Sequence, residues 1–231
     1  MSAAAAAVQT HDGAGSASPV ICLYGKGVAR GYAIGRAVVM GAAALEVDVY
    51  KRQVCYYCAC NKVVTRHHDR AARYLDALAR EIALHVAELG PDVPVSQLHF
   101  GGGTPTFLSD EELDRLMADL RGAFRFEPDA EISIEVDPRT ATPQRLERLR
   151  KLGFNRLSFG VQDFDPKVQV AVHRVQSFED VRDLMQSARA LGYASINVDL
   201  IYGLPLQTTE SLDVYKRQAP GRTATIRSGW R

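Results

Sequence analysis

Two junctions constrain the fold more than any other feature of the sequence. Leu152-Gly153-Phe154 and Leu191-Gly192-Tyr193 each end a helical pattern just before a strand pattern begins. Residues 69–89 carry Leu75, Leu78, Ile82, Val86 and Leu89 on one face of an amphipathic helix. Residues 95–100 read as a strand that runs into Gly101-Gly102-Gly103. Ser109 and Glu112 form a capping box ahead of Leu113, Leu116, Met117 and Leu120. Residues 131–136 alternate as a strand, and Thr142-Pro143 opens a helix that bears Leu146 and Leu149 and stops at Gly153. Residues 156–161 form the next strand, Ser177 caps a helix with Val181, Leu184, Met185, Ala188 and Leu191, and residues 195–201 form a further strand. Helices and strands alternating through such short corners demand an α/β fold with a parallel sheet of about four strands, joined by right-handed crossovers.

In such sheets the chemistry gathers at the carboxyl ends of the strands. That rule selects Gly101 to Thr104, Glu135, Asp137, Gln162, Asp163, Asp199 and Tyr202-Gly203. The glycine run offers bare backbone N–H groups to an anion. Glu135 and Asp199 accept from hydroxyls or an ammonium, and Arg174 pairs with a carboxylate. His99 fits a strand position better than a metal site, since no second ligand stands at short spacing. His67-His68 reads as a solvated approach to the first helix.

Ahead of this sheet lies Cys55-Tyr56-Tyr57-Cys58-Ala59-Cys60-Asn61, which holds three of the four cysteines of the 231-residue chain. Their spacing brings thiolates onto one metal centre. Taken alone, it fits a zinc knuckle or a redox pair equally well. Clustered thiols suit a reducing cytoplasm better than a secreted disulfide framework. A net charge of +1 supplies no field for nucleic acid or membrane. No apolar run has the length of a membrane span, and no secretory signal is visible at the N-terminus. Thiolates beside acceptors for an amino acid end and a ribose give the profile of S-adenosylmethionine lying on an iron–sulfur cluster.

The cysteine loop resembles that of oxygen-independent coproporphyrinogen III oxidases, a radical S-adenosylmethionine (SAM) family. So do Gln97-Leu98-His99-Phe100-Gly101-Gly102-Gly103-Thr104-Pro105-Thr106, Glu131-Ile132-Ser133-Ile134-Glu135-Val136-Asp137-Pro138, Gly160-Val161-Gln162-Asp163-Phe164 and Asn197-Val198-Asp199-Leu200-Ile201-Tyr202-Gly203-Leu204-Pro205. The resemblance spans residues 54–212, in order and in spacing. It implies a partial radical SAM (β/α) barrel with Cys55 and Cys58 as ligands of a [4Fe–4S] cluster and Cys60 as an accessory cysteine. It implies SAM contacts at Tyr57, Gly102, Gly103, Thr104, Glu135, Gln162, Arg174 and Asp199. The implied activity is oxidative decarboxylation of coproporphyrinogen III to protoporphyrinogen IX by a 5′-deoxyadenosyl radical, in haem biosynthesis. The implied partners are a porphyrinogen substrate and an electron donor, with the protein a cytoplasmic monomer that binds neither nucleic acid nor membrane. Ala59-Cys60 and His173-Arg174-Val175-Gln176 favour this family over its haem-chaperone relative.

The chain departs from the family at its margins. The family's first cluster cysteine would stand four positions before Cys55, where this sequence has Lys51, and an ammonium cannot replace a thiolate. The expectation is therefore an inactive chain, with a small zinc-binding module as the alternative use of the thiols. The strand that should precede the cysteine loop, and the last barrel strands after Leu212, are expected to be missing. Lys51 lies in Asp48-Val49-Tyr50-Lys51-Arg52-Gln53, which recurs as Asp213-Val214-Tyr215-Lys216-Arg217-Gln218. No repeat architecture explains two isolated copies. They suggest artificial joins around residues 54–212. On this reading residues 1–21 are disordered, 22–53 are foreign and 213–231 form an unstructured tail. The stretch from Tyr24 to Ala37 resembles the first strands of phosphotransferase-system enzyme I.

Overall fold

The computed structural model describes residues 20–24, 38–41, 45–46, 63–64, 68–90, 94–101, 104–211 and 223–228. Strands β1 (Val20–Tyr24) and β2 (Val38–Gly41) come first, followed by the short β3 (Leu45–Glu46) and β4 (Val63–Val64), which pair with each other. Helix α1 (His68–Leu89), β5 (Pro94–Gly101), a 3-10 turn at Pro105–Phe107 and α2 (Asp110–Ala123) lead into β6 (Arg125–Val136). Then come α3 (Pro143–Lys151), β7 (Arg156–Gln162), α4 (Pro166–Ala171), α5 (Phe178–Ala190), β8 (Ser195–Tyr202) and β9 (Thr223–Ser228). The main sheet has seven strands in the order β2-β1-β5-β6-β7-β8-β9, and every neighbouring pair is parallel.

The local signals act as their chemistry requires. Ser109 Oγ accepts from Glu112 N at 3.2 Å while Glu112 Oε2 accepts from Ser109 N at 2.8 Å, closing the capping box. Thr142 and Ser177 accept from the amides of Arg145 and Asp180. Helices α3 and α5 end alike. Gly153 (φ 101°) and Gly192 (φ 76°) take the left-handed conformation. Phe154 N then donates to Leu149 O, and Tyr193 N to Ala188 O.

Strand alternation sorts the sheet into two unlike faces. Leu98, Phe100, Ile132, Ile134, Val136, Leu157, Phe159, Val161, Val198 and Leu200 pack under Leu75, Leu78, Leu113, Met117, Leu146, Leu149, Val181 and Met185 of the helices. The opposite face carries Gln97, His99, Glu131, Ser133, Glu135, Arg156, Ser158, Asn197 and Asp199.

The structure meets expectation at the centre of the sheet and differs at its margins. The four adjacent parallel strands β5–β8 match the expected sheet of about four strands, and β1, β2 and β9 are added at its edges. A strand does flank β5 where one was expected to be missing, namely β1. Within the region read as an unstructured tail, residues 223–228 pair with β8. Leu89, expected on the apolar face of α1, ends that helix at 39% exposure and lies outside the core. Helix α4 is an addition, capped by Asp165 with Pro166 at its first turn.

Phe154 leaves α3 fully buried and meets Phe100 edge-on, with centroids 5.1 Å apart. Phe154→Ala removes this contact and opens a cavity beneath β5, so urea unfolding should show a loss of about 3–5 kcal/mol.

Candidate functional site

The polar face is densely paired at its carboxyl end, and two missing β-carbons organise it. The first is at Gly101. A Cβ there would stand 2.7 Å from His99 Nε2 and 3.2 Å from Glu135 Oε1. The imidazole is held in place from below, because Ser133 Oγ lies 2.8 Å from Nδ1 and donates to Leu98 O at 3.2 Å. Nε2 faces Glu135 Oε1 at 3.8 Å. Gly101 therefore makes room for two side chains, and its backbone N–H is not its main contribution. His99 is half-buried on the polar face of β5 and bonded to Ser133.

The second missing β-carbon is at Gly160. A Cβ there would lie 3.0 Å from Gln162 Nε2 and 3.3 Å from Arg174 Nη2, so an amide and a guanidinium converge above bare backbone. Gln162 holds φ 74°, in the left-handed region, which costs a non-glycine residue roughly 1–2 kcal/mol. Arg174 reaches the same place because α4 ends as α3 and α5 do, with His173 (φ 58°) in the glycine position and Arg174 N donating to Gln169 O at 2.8 Å. Its Nη2 donates to Gly160 O and lies 3.3 Å from Asp137 Oδ1.

Asp137 is thereby shared between two cations, since Arg139 also donates to it from Nε and Nη2. Burial alone would raise its carboxyl. The charge of Arg174 and the hydrogen bonds and charge of Arg139 outweigh burial, and the carboxyl ionises below the usual range.

Asp199 pairs in register with Gly160, is 6% exposed and accepts from Ser158 Oγ at 2.9 Å. Ser158 in turn sits opposite Glu135. Glu135, Asp199, Gln162 and Arg174 thus share one end of one face. Thr104 stands just beyond β5 as the cap of the 3-10 turn and makes no side-chain capping bond. Cys55, Cys58, Tyr57, Gly102 and Gly103 lie outside the described residues. Nearer the amino ends of the strands, Arg156 binds both oxygens of Glu131 at 3.0 and 2.9 Å. Asn197, with its amide oxygen turned toward Arg156, accepts from the same guanidinium. Sequence reasoning missed Ser133, Ser158 and Asn197, although their alternation with core residues marks them as facing the site.

Two substitutions probe this arrangement. Gly101→Ala must displace His99 or Glu135 and should cost about 1–3 kcal/mol in denaturant unfolding. Asp137→Asn leaves Arg174 short of its counter-charge and should cost about 3 kcal/mol at pH 7. A depressed folded-state pKa stabilises above the unfolded value, about pH 4, and that contribution vanishes as pH falls through the folded value. The gap between Asp137→Asn and the parent should therefore close on acidification below about pH 4, as read by unfolding midpoints at several pH values.

Comparison with known proteins places this geometry in a family. The model of the radical SAM superfamily matches residues 52–217. The oxygen-independent coproporphyrinogen III oxidase of Salmonella typhimurium is 55% identical over 159 residues, which cover 69% of this chain and 35% of that protein. The enzyme of the same name from Pseudomonas aeruginosa is 52% identical over 160 residues, covering 68% and 35%. The chain thus spans about a third of the length of these relatives. Among solved structures, coproporphyrinogen III oxidase from Escherichia coli superposes with a TM-score of 0.74 at 42% identity, over 92% of this chain and 44% of that one. The methyltransferase TsrM from Kitasatospora setae shares the fold at 14% identity, with a TM-score of 0.53 over 90% of this chain and 41% of that one. By the length of the family match and the identity to these oxidases, the chain belongs to the radical SAM superfamily.

Proposed function

We propose that the paired face is the S-adenosylmethionine seat of an oxygen-independent coproporphyrinogen III oxidase. The observation that carries this reading is the convergence of the Gln162 amide and the Arg174 guanidinium over Gly160, beside Asp199. Two donors above bare backbone suit a ligand carboxylate. An acidic side chain one strand away suits an ammonium or ribose hydroxyls, so the donor set fits the amino acid end and sugar of one molecule. Glu135 extends the acceptors toward β5, and Tyr57, Gly102, Gly103 and Thr104 complete the contacts.

The cluster ligands are Cys55 and Cys58, and Lys51 stands where the third thiolate belongs. A reduced [4Fe–4S] cluster, when bound, supplies the electron that cleaves the SAM sulfonium and starts hydrogen abstraction from a substrate propionate. In each of two such rounds a separate donor would supply the electron for SAM cleavage, and the substrate radical would lose carbon dioxide and pass one electron to an acceptor, so that coproporphyrinogen III becomes protoporphyrinogen IX. The protein's own part is to orient the sulfonium and keep water and oxygen away. Residues 54–212 form the core of this activity. The two copies of the hexapeptide mark joins to residues of other origin, which resequencing of the source DNA tests.

Lys51→Cys tests the reading directly. After anaerobic reconstitution with iron and sulfide, the variant should turn brown, hold about four acid-labile sulfides per chain and cleave SAM to 5′-deoxyadenosine under dithionite. The parent chain should retain much less cluster. Stoichiometric zinc without labile sulfide in both proteins would replace this reading with a zinc module.

A further inference from the structure

Three non-glycine residues hold a positive φ among the described residues: Gln162 (74°), His173 (58°) and Leu206 (65°). All three lie in one small network at the ends of β7 and β8. Strain this concentrated persists only where the surroundings impose it.

At Gln162 the strain has a definite form. Asp163 N donates to Val161 O at 3.0 Å, closing a three-residue γ-turn of positive φ around Gln162. From one side α4 and the segment after it secure this turn. Gln169 Nε2 donates to Asp163 O at 2.9 Å, and Gln176 Nε2 donates to Val161 O at 2.5 Å. From the other side comes a single residue, Gln207. The turn Leu204-Pro205-Leu206-Gln207, closed by Gln207 N to Leu204 O at 3.1 Å, presents it with Leu206 in the position that favours glycine. Gln207 Nε2 donates to Asp163 Oδ2 at 2.5 Å and to Ile201 O at 2.8 Å. Its Oε1 accepts from Gly203 N at 2.6 Å and Leu204 N at 3.3 Å. One amide thus joins the end of β8 to the residue that follows Gln162.

We propose that Gln207 is a positioning residue: through Asp163 it locks the γ-turn at Gln162 and so fixes where the Gln162 amide stands over Gly160. Asp163 is suited to carry this coupling. It is 2% exposed, and its Oδ1 accepts from Asp165 N at 2.6 Å, so the carboxyl cannot swing without breaking bonds on both oxygens. Burial pushes its carboxyl above the usual range, which makes the Gln207 donor the more necessary. Gln207 is not among the groups that converge over Gly160, and it acts on Gln162 at one remove.

This role deepens the SAM reading and depends on it, and amide hydrogen exchange of the full chain separates the two. In Gln207→Ala, Gly203 and Leu204 lose their acceptor directly. The diagnostic amides are those of Asp163 and Asp165, which Gln207 does not touch. Their exchange should quicken about tenfold, while α3 amides keep their rates. Gln207→Glu should do the same, since a carboxylate then faces Asp163. The double variant Asp163→Asn with Gln207→Glu restores the bond between the two side chains with its direction reversed, though not the bond to Ile201 O, and should recover about threefold of the lost protection. The affinity for SAM, measured by equilibrium dialysis, should fall about tenfold in Gln207→Ala and recover in part in the double variant. Unchanged exchange at Asp163 overturns the role whatever SAM does. Quickened exchange with unchanged affinity overturns it too, because the γ-turn would then not matter to the ligand. A parent chain that binds no SAM, even with Lys51→Cys and a cluster in place, overturns the functional reading and the positioning role with it, while the exchange coupling would still stand as structure.

Discussion

Parallel pairing with side-chain alternation between register shifts is the constraint from which the rest follows. From Gln97 in β5, Glu131 in β6, Arg156 in β7 and Ile196 in β8, successive residues alternate between the helix side and the opposite face. A parallel sheet is ordinarily apolar on both faces, so serine, histidine, glutamate, asparagine and aspartate in four adjacent strands need an explanation. They occupy half-buried or buried positions, where an unmet polar group costs about 1–3 kcal/mol. The chain meets that cost by pairing across strands: Ser133 with His99, Ser158 with Asp199, and Arg156 with Glu131 and Asn197. Each of these pairs joins residues from different strands, so register and site geometry are one and the same.

Glycine serves this face twice in the same way. At positions 101 and 160 the missing β-carbon opens space that neighbouring side chains fill, His99 and Glu135 in one case, Gln162 and Arg174 in the other. Neither glycine has a positive φ, so conformational freedom is not what either position requires. The demand is for room. Closely packed polar groups at a strand end can converge on a ligand only if the backbone between them lies bare.

Much of this was legible in the sequence, and the reason is locality. The capping box at Ser109, the caps at Thr142 and Ser177 and the glycine stops at 153 and 192 involve partners within five residues, so composition and spacing suffice. Glu135, Gln162 and Asp199 could be found from the rule that strand ends bear chemistry. What stayed hidden involves long-range partners. Gln207 reaches Asp163 across 44 positions, and Ser158 reaches Asp199 across 41. Helix α4 was missed because six residues give too little periodicity to register. Strands β1, β2 and β9 were missed for another reason. Their assignment comes from backbone pairing at the edges of the β5–β8 sheet, which no local sequence pattern marks.

Arg174 decides between a structural and a functional account of the rim. Its bonds to Gly160 O and Asp137 could belong to a buried ion pair that merely closes the fold. A purely structural design, however, would not need strain beside it. Replacing Gln162 and His173 by glycine would relieve roughly 1–2 kcal/mol at each position without touching the Arg174–Asp137 pair. At Gln162 the side chain that glycine would delete is the one that folds over Gly160 toward the guanidinium. At His173 the strain brings Arg174 to that point, through the helix end that α3 and α5 build with glycine. The tension makes physical sense if the two donors must be held together above the sheet for something that binds there.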